Sequence, residues 1–104
     1  MKFSSLDKIS AKEFRESVFN NSKSDCYTIV DVREESEHDI LTFDGILKRP
    51  LHELFNENFQ GLDLNKTIIL LCTNGLRSSR AKEFLNKFGY HSIIVDGGIE
   101  EMMK

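Results

Sequence analysis

The run Thr67-Ile68-Ile69-Leu70-Leu71 constrains this chain more than any other segment. It alternates in neither the strand nor the helix period, and a short stretch apolar on both faces marks a strand covered on both sides, as in a parallel sheet. Such a strand is expected at the centre of the sheet.

Two further runs read as strands. Tyr27-Thr28-Ile29-Val30-Asp31-Val32 is rich in β-branched and aromatic residues, and Ser92-Ile93-Ile94-Val95 ends at Asp96-Gly97-Gly98. Between the second and third runs, Ala81, Phe84, Leu85 and Phe88 recur at i, i+3, i+4 and i+7, with Lys82, Glu83, Asn86 and Lys87 on the other face. This spacing predicts an amphipathic helix, and Gly89 follows where a left-handed cap is wanted. Strand, helix, strand is the parallel crossover unit.

Upstream, Ser10-Ala11-Lys12-Glu13 forms a capping box for a helix over about Ala11 to Asn20, with Phe14 and Val18 on its apolar face. Glu34 to Leu41 reads as a short helix, Thr42 to Gly45 as a turn, Ile46 to Lys48 as a minor strand and Leu51 to Phe59 as another short helix. The expected architecture is a small doubly wound, mainly parallel α/β sheet with helices on both faces, formed as one domain over residues 1–104. Ligands gather beyond the carboxyl ends of strands in such sheets. Those ends carry Asp31-Val32-Arg33, Cys72 and Asp96-Gly97-Gly98.

Composition narrows the function classes. The net charge of −3 gives no general attraction to nucleic acid or to anionic lipid, and neither is expected as a partner. No run approaches the roughly 20 apolar residues of a membrane span, and the first residues lack the apolar core of a secretory signal, so cytoplasmic residence is expected. Cys26 lies before one strand and Cys72 beyond the end of another. Six strand residues span roughly 20 Å, against a Cα separation of about 4.4–6.8 Å in a disulfide, so two free thiols are expected. His38, His52 and His91 have no ligand-like spacing with one another or with the cysteines, and neither a metal nor another cofactor is expected.

Cys72 is the candidate nucleophile. It closes the central strand and is followed by Thr73-Asn74-Gly75-Leu76-Arg77, after which Ser78 is expected to open and cap the amphipathic helix. A helix start offers unpaired N–H groups and partial positive charge, which favour an anion such as a thiolate in front of it. Gly75 lets successive amides curl around one point. Arg77 adds a cation suited either to an anionic substrate or to a carboxylate that pins the loop. A cysteine at the end of a buried strand can also be a small apolar filler; the Gly, Arg and Ser at this spacing argue for a cradle instead. Cys26 reads as structural or incidental, and Arg80 as a solvated residue one turn from Arg77.

Cys72-Thr73-Asn74-Gly75-Leu76-Arg77-Ser78 resembles the Cys-x-x-Gly-x-Arg-Ser loop of the rhodanese family of sulfurtransferases, specifically its single-domain members. Val30-Asp31-Val32-Arg33-Glu34, with Glu37 soon after, and Phe88-Gly89-Tyr90 leading to Asp96-Gly97-Gly98 match in the same order. The resemblance implies that Cys72 takes a sulfane sulfur from a donor such as thiosulfate or a protein persulfide and passes it, as a persulfide, to a thiol or cyanide acceptor. It implies that the amides of Thr73 to Ser78 stabilise the anionic sulfur, and that Asp31 and Arg33 support the structure. The family's Gly-His-Ile-x-Gly-Ala stretch is replaced here by His38-Asp39-Ile40 and a longer path to Gly45-Ile46, and Ile99 to Met103 stand where the family commonly has a Trp. Thr73, Asn74 and Leu76 bring no charge to bind a dianion such as thiosulfate, which leaves the donor open.

Two other readings compete. Cysteine phosphatases and arsenate reductases also close an anion cradle with Arg, but with five residues between Cys and Arg, where this chain has the four from Thr73 to Leu76. A rhodanese-like module that only binds a partner is the second; inactive members commonly lose the cysteine, which this chain keeps.

Overall fold

The computed structural model describes residues 7–18, 26–37 and 45–104. Five parallel strands form one sheet in the order β1-β5-β4-β2-β3, with β1 at Lys8–Ser10, β2 at Tyr27–Asp31, β3 at Ile46–Lys48, β4 at Thr67–Leu71 and β5 at Ser92–Asp96. All five β4 residues are buried, and β4 lies between β2 and β5, as its two-sided apolar run requires.

The pleat sends alternate residues to opposite faces and so builds two cores. On one face Ile29, Ile69, Leu71, Ile93 and Val95 pack with Ala11 and Phe14 of the first helical segment and with Ile99 and Met102 of α4 (Gly98–Met102). That first segment is α1 (Ala11–Glu13), which widens into a π-helical turn over Phe14–Val18. On the other face Val30, Val32, Ile68, Leu70 and Cys72 pack with Leu51 and Leu54 of α2 (Leu51–Phe55) and with Ala81 and Leu85 of α3 (Leu76–Asn86). The expected parallel sheet with helices on both faces is therefore the observed one. Truncating a fully buried side chain such as Leu85 to alanine costs about 2–5 kcal/mol in cores of this kind.

Local chemistry sets the ends of the helices. Ser10 accepts a hydrogen bond from the Glu13 amide at 3.0 Å, as the capping box requires, while the predicted end near Asn20 lies outside the described residues. After α3, Gly89 has φ 85°, and the Tyr90 amide returns to the Leu85 carbonyl at 3.2 Å. The predicted helix from Glu34 appears as a 3₁₀ turn over Glu35–Glu37, and its continuation through Leu41, with the turn at Thr42 to Asp44, lies outside the described residues. The helix expected to Phe59 stops at Phe55. Two elements have no counterpart in the sequence reading, the edge strand β1 and α4. Lys82, assigned there to the polar face, instead donates through Nζ to the Ser92 carbonyl and ties α3 to β5.

Candidate functional site

Cys72 follows β4 and continues its alternation, so its side chain points toward α3 and is fully buried in the core on that face. Its Sγ nevertheless meets polar partners. The Gly75 amide donates to it at 2.9 Å and the Ser78 amide at 3.4 Å. Gly75 caps α3 with φ 96°, a left-handed angle that strains any residue carrying a Cβ, and this turn aims its own N–H back at the sulfur. The amides at the start of α3 lack intrahelical acceptors, and an anion beside them satisfies both their hydrogen bonds and the helix dipole.

The loop is fastened from behind by α4. The Ile99 amide donates to the Cys72 carbonyl and the Glu100 amide to the Thr73 carbonyl, each at 2.9 Å. Those two carbonyls therefore face α4 and away from the sulfur. Gly98 permits the approach, because a Cβ there would lie 2.4 Å from the Cys72 oxygen and 2.7 Å from the Thr73 oxygen.

From the front the loop is held by Glu37. Arg77 donates from Nη1 to Oε1 at 2.6 Å and from Nη2 to Oε2 at 2.8 Å. Thr73 Oγ1 donates to Oε2 at 3.1 Å and accepts from Arg77 Nη2 at 3.0 Å. The Arg77 hydrogen bonds are the main reason the Glu37 carboxyl is pulled down to about 2, and Glu37 in turn raises Arg77 above the ordinary guanidinium value.

Glu37 is positioned by a buried ion pair. Arg33 donates from Nη2 to Asp31 Oδ2 at 2.8 Å and from Nε to Asp31 Oδ1 at 3.0 Å, and its Nη1 reaches the Glu37 carbonyl at 2.8 Å. Both charges are withdrawn from water, Arg33 at 1% exposure and Asp31 at 0%, so each needs the other. The order Asp31, Arg33, Glu37, Arg77 thus carries position from the end of β2 to the first turn of α3.

The structure brings Cys72, Gly75 and Ser78 together through backbone atoms and sulfur, and Thr73 and Arg77 together on Glu37. Asn74 Oδ1 accepts from the Leu76 amide at 3.1 Å, and Leu76 projects from the loop at 70% exposure. One expectation is corrected and one alternative is resolved. Ser78 does not cap α3, which begins two residues earlier behind Gly75; its hydroxyl is buried and without a hydrogen-bond partner. Of the two roles open to Arg77, the loop-pinning carboxylate is the one observed.

Sequence reasoning assigned no role to Glu37 or Gly98. The Asp31-x-Arg33-x-x-x-Glu37 spacing and the paired glycines after β5 were the signals, whereas the amides of Ile99 and Glu100 leave none, since nearly every residue has an N–H. Cys26 is exposed, Cys72 is buried, and neither takes part in a disulfide. The altered stretch from His38 to Asp44 lies outside the described residues.

A cleft of about 250 Å³ borders the loop, lined by Asn74, Gly75 and Leu76 together with Lys8, Ile94 and Asp96. A larger depression of about 450 Å³, with Lys12, Arg15, Glu101 and Lys104 on its walls, touches none of the loop residues. Among the described residues no helix is long and apolar enough to cross a membrane, and no group of three or more His, Cys, Asp or Glu is placed to hold a metal ion.

Comparison with known proteins gives a consistent assignment. A family model described as the rhodanese-like domain matches residues 10–104. A rhodanese-related protein from Thermoplasma volcanium superposes with a TM-score of 0.78 at 30% identity, covering 94% of this chain and 91% of that one. YtwF of Bacillus subtilis, named as a candidate sulfurtransferase, is 27% identical over 68% of each chain. A tRNA uridine(34) hydroxylase of Staphylococcus saprophyticus is 31% identical over 88% of this chain, which spans only 29% of that enzyme's length. On the family match, and on the fold that carries it, this chain belongs to the rhodanese-like domain family.

Proposed function

We propose that this protein is a sulfurtransferase that carries sulfane sulfur as a persulfide on Cys72. The observation that carries the reading is the pair of amides, from Gly75 and Ser78, aimed at Sγ from the start of α3. A thiolate is the nucleophile in such chemistry, and preorganised N–H groups stabilise it and the persulfide anion without reorganising during transfer. The loop amides from Thr73 to Ser78 serve as the cradle, Arg77 fixes its shape through Glu37, and Asp31 with Arg33 braces Glu37. We take residues 1–104 as one domain. The donor is a small or protein-borne sulfane-sulfur compound and the acceptor a thiol or cyanide, in a compartment that keeps both cysteines reduced, such as the cytoplasm. The names of two Bacillus subtilis relatives, a candidate sulfurtransferase and a candidate sulfur carrier, support the same chemistry.

One observation favours a second reading. Cys72 is wholly buried within the apolar core on the α3 face, which suits a binding module that performs no transfer. Intact mass separates the two. After incubation with sulfane-sulfur donors the protein should gain the mass of one sulfur atom, cyanide should remove it, and Cys72→Ser should show no gain. An unchanged wild-type mass with every donor defeats the sulfurtransferase reading and leaves the binding module.

A further inference from the structure

We infer that the donor is a persulfide borne on a thiol, R–S–SH, rather than thiosulfate, and that Glu37 makes this choice by taking up the charge of Arg77. The inference rests on the reading of Cys72 as the sulfur carrier.

Thiosulfate enters with two negative charges and leaves two on sulfite, so a site that uses it efficiently needs an uncompensated cation. In a partly buried site a unit charge is felt more strongly than in bulk water, and a dianion doubles the effect. Arg77 is the sole charged side chain from Cys72 to Ser78 other than the reacting thiolate. Both of its terminal nitrogens lie on the Glu37 carboxylate, so the pair sums to zero.

The flanks add no net positive charge. The cleft beside the loop carries one amine, Lys8, and one carboxylate, Asp96. Arg80 is an exposed cation, its guanidinium 5.8 Å from the centre of the Phe55 ring, and the Glu34 carboxylate, whose charge reaches Arg77, offsets it. With Cys72 ionised, the described part of the site is negative overall and repels a dianion. What it offers instead is apolar, with Leu76 at 70% exposure on the loop and Ile94 in the cleft. A persulfide brings at most one negative charge on its outer sulfur and reacts as the uncharged R–S–SH, so it meets less repulsion than thiosulfate, and its carrier supplies apolar surface for Leu76 to cover.

The step balances without an added oxidant. The Cys72 thiolate attacks the outer sulfur of R–S–SH, a Sγ–S bond forms, the donor S–S bond breaks, and its electron pair leaves on R–S⁻. The proton remains with the transferred sulfur until solvent removes it.

The test compares kcat/KM for the persulfide of 2-mercaptoethanol, whose carrier is uncharged, persulfidated serum albumin and thiosulfate at low ionic strength, with cyanide as acceptor and intact mass as a second readout. The wild type should favour a persulfide over thiosulfate by about a hundredfold or more, in line with a few kcal/mol of charge repulsion. Glu37→Gln leaves Arg77 with net positive charge and should raise the ratio of thiosulfate to persulfide kcat/KM about tenfold, an increase that added salt diminishes. Leu76→Lys adds a cation without touching the Glu37–Arg77 pair and should raise the same ratio, which covers the case in which Glu37→Gln loosens the loop. Faster loading by either persulfide than by thiosulfate supports the inference and shows which carrier is accepted. Equal use of thiosulfate by the wild type, or a ratio unmoved in both variants, overturns it. Failure of every donor to load Cys72 strikes the sulfurtransferase reading instead.

Discussion

Glu37 and Arg77, 40 residues apart in the chain, close the mouth of the site through two hydrogen bonds of 2.6 and 2.8 Å. The contact joins the turn after β2 to the first turn of α3. It therefore sets the shape of the cradle in which the amides of Gly75 and Ser78 meet Sγ.

Loss of Arg77 should disturb transfer far more than loss of Arg80. Arg77→Ala removes the clamp on Glu37 and Thr73, and a misplacement of about 1 Å can cost as much as 100-fold in rate. Arg80→Ala removes only an exposed guanidinium near the Phe55 ring and should leave the rate within about twofold. Steady-state rates with a persulfide donor measure both; equal losses would remove the special role of Arg77.

The Glu37 carboxyl gives the fold a defined acid response. Its value drops from 4.5 to about 2 on folding, so its contribution to stability is fully present above 4.5 and is lost as the pH falls toward 2. Because the pair is partly solvated, with both side chains at 29% exposure, that contribution should be about 1 kcal/mol or less. Urea unfolding of wild type and Glu37→Gln at a series of pH values should show a stability gap at neutral pH that closes between 4.5 and about 2. A gap that stays constant over that window would show that Glu37 is not the titrating group.

Breaking the buried pair behind the site should be costly. Arg33→Ala leaves Asp31 charged at 0% exposure, and removing one partner of a buried pair typically costs about 3–5 kcal/mol. Chemical denaturation measures this, and the double variant Asp31→Leu with Arg33→Met should recover much of the stability. Sulfur uptake should remain low in the double variant, because the hydrogen bond that positions the Glu37 carbonyl is absent in both.

The two glycines that shape the loop should differ in their tolerance of a methyl group. At Gly75 the nearest atom to a new Cβ is 3.7 Å away, so Gly75→Ala carries mainly the left-handed backbone strain of about 1–2 kcal/mol. Gly98→Ala adds to that strain a collision with the Cys72 and Thr73 carbonyls at 2.4 and 2.7 Å, which must push the loop away from α4. Thermal unfolding should rank Gly98→Ala as the less stable variant, and its persulfide uptake should fall as well. A Gly98→Ala protein as stable as Gly75→Ala would show that the loop is not seated on α4.

The segment from Thr67 to Gly89 was legible in the sequence because its signals are local. A five-residue run apolar on both faces, with β-branched Thr67, Ile68 and Ile69, is too short for a buried helix and reads as a covered strand, and the helical spacing of Ala81, Phe84, Leu85 and Phe88 needs a helix that Gly89 ends. The place of Cys72 and Gly75 at the strand-to-helix junction follows from those boundaries alone. β1 and α4 escaped, three and five residues long with too few positions for a period to show, whereas the equally short β3 and α2 were placed by the neighbouring Gly45 turn and Pro50.

The partners within the site were decided by tertiary structure. The choice of Glu37 for Arg77, the seating of Gly98 under the Cys72 carbonyl and the orphaned hydroxyl of Ser78 all depend on which strand ends the sheet order places side by side. A sequence specifies donors, acceptors and spacing along one chain, whereas a hydrogen bond across 40 residues exists only once folding has ended β2 beside β4 and turned the intervening carboxylate toward α3.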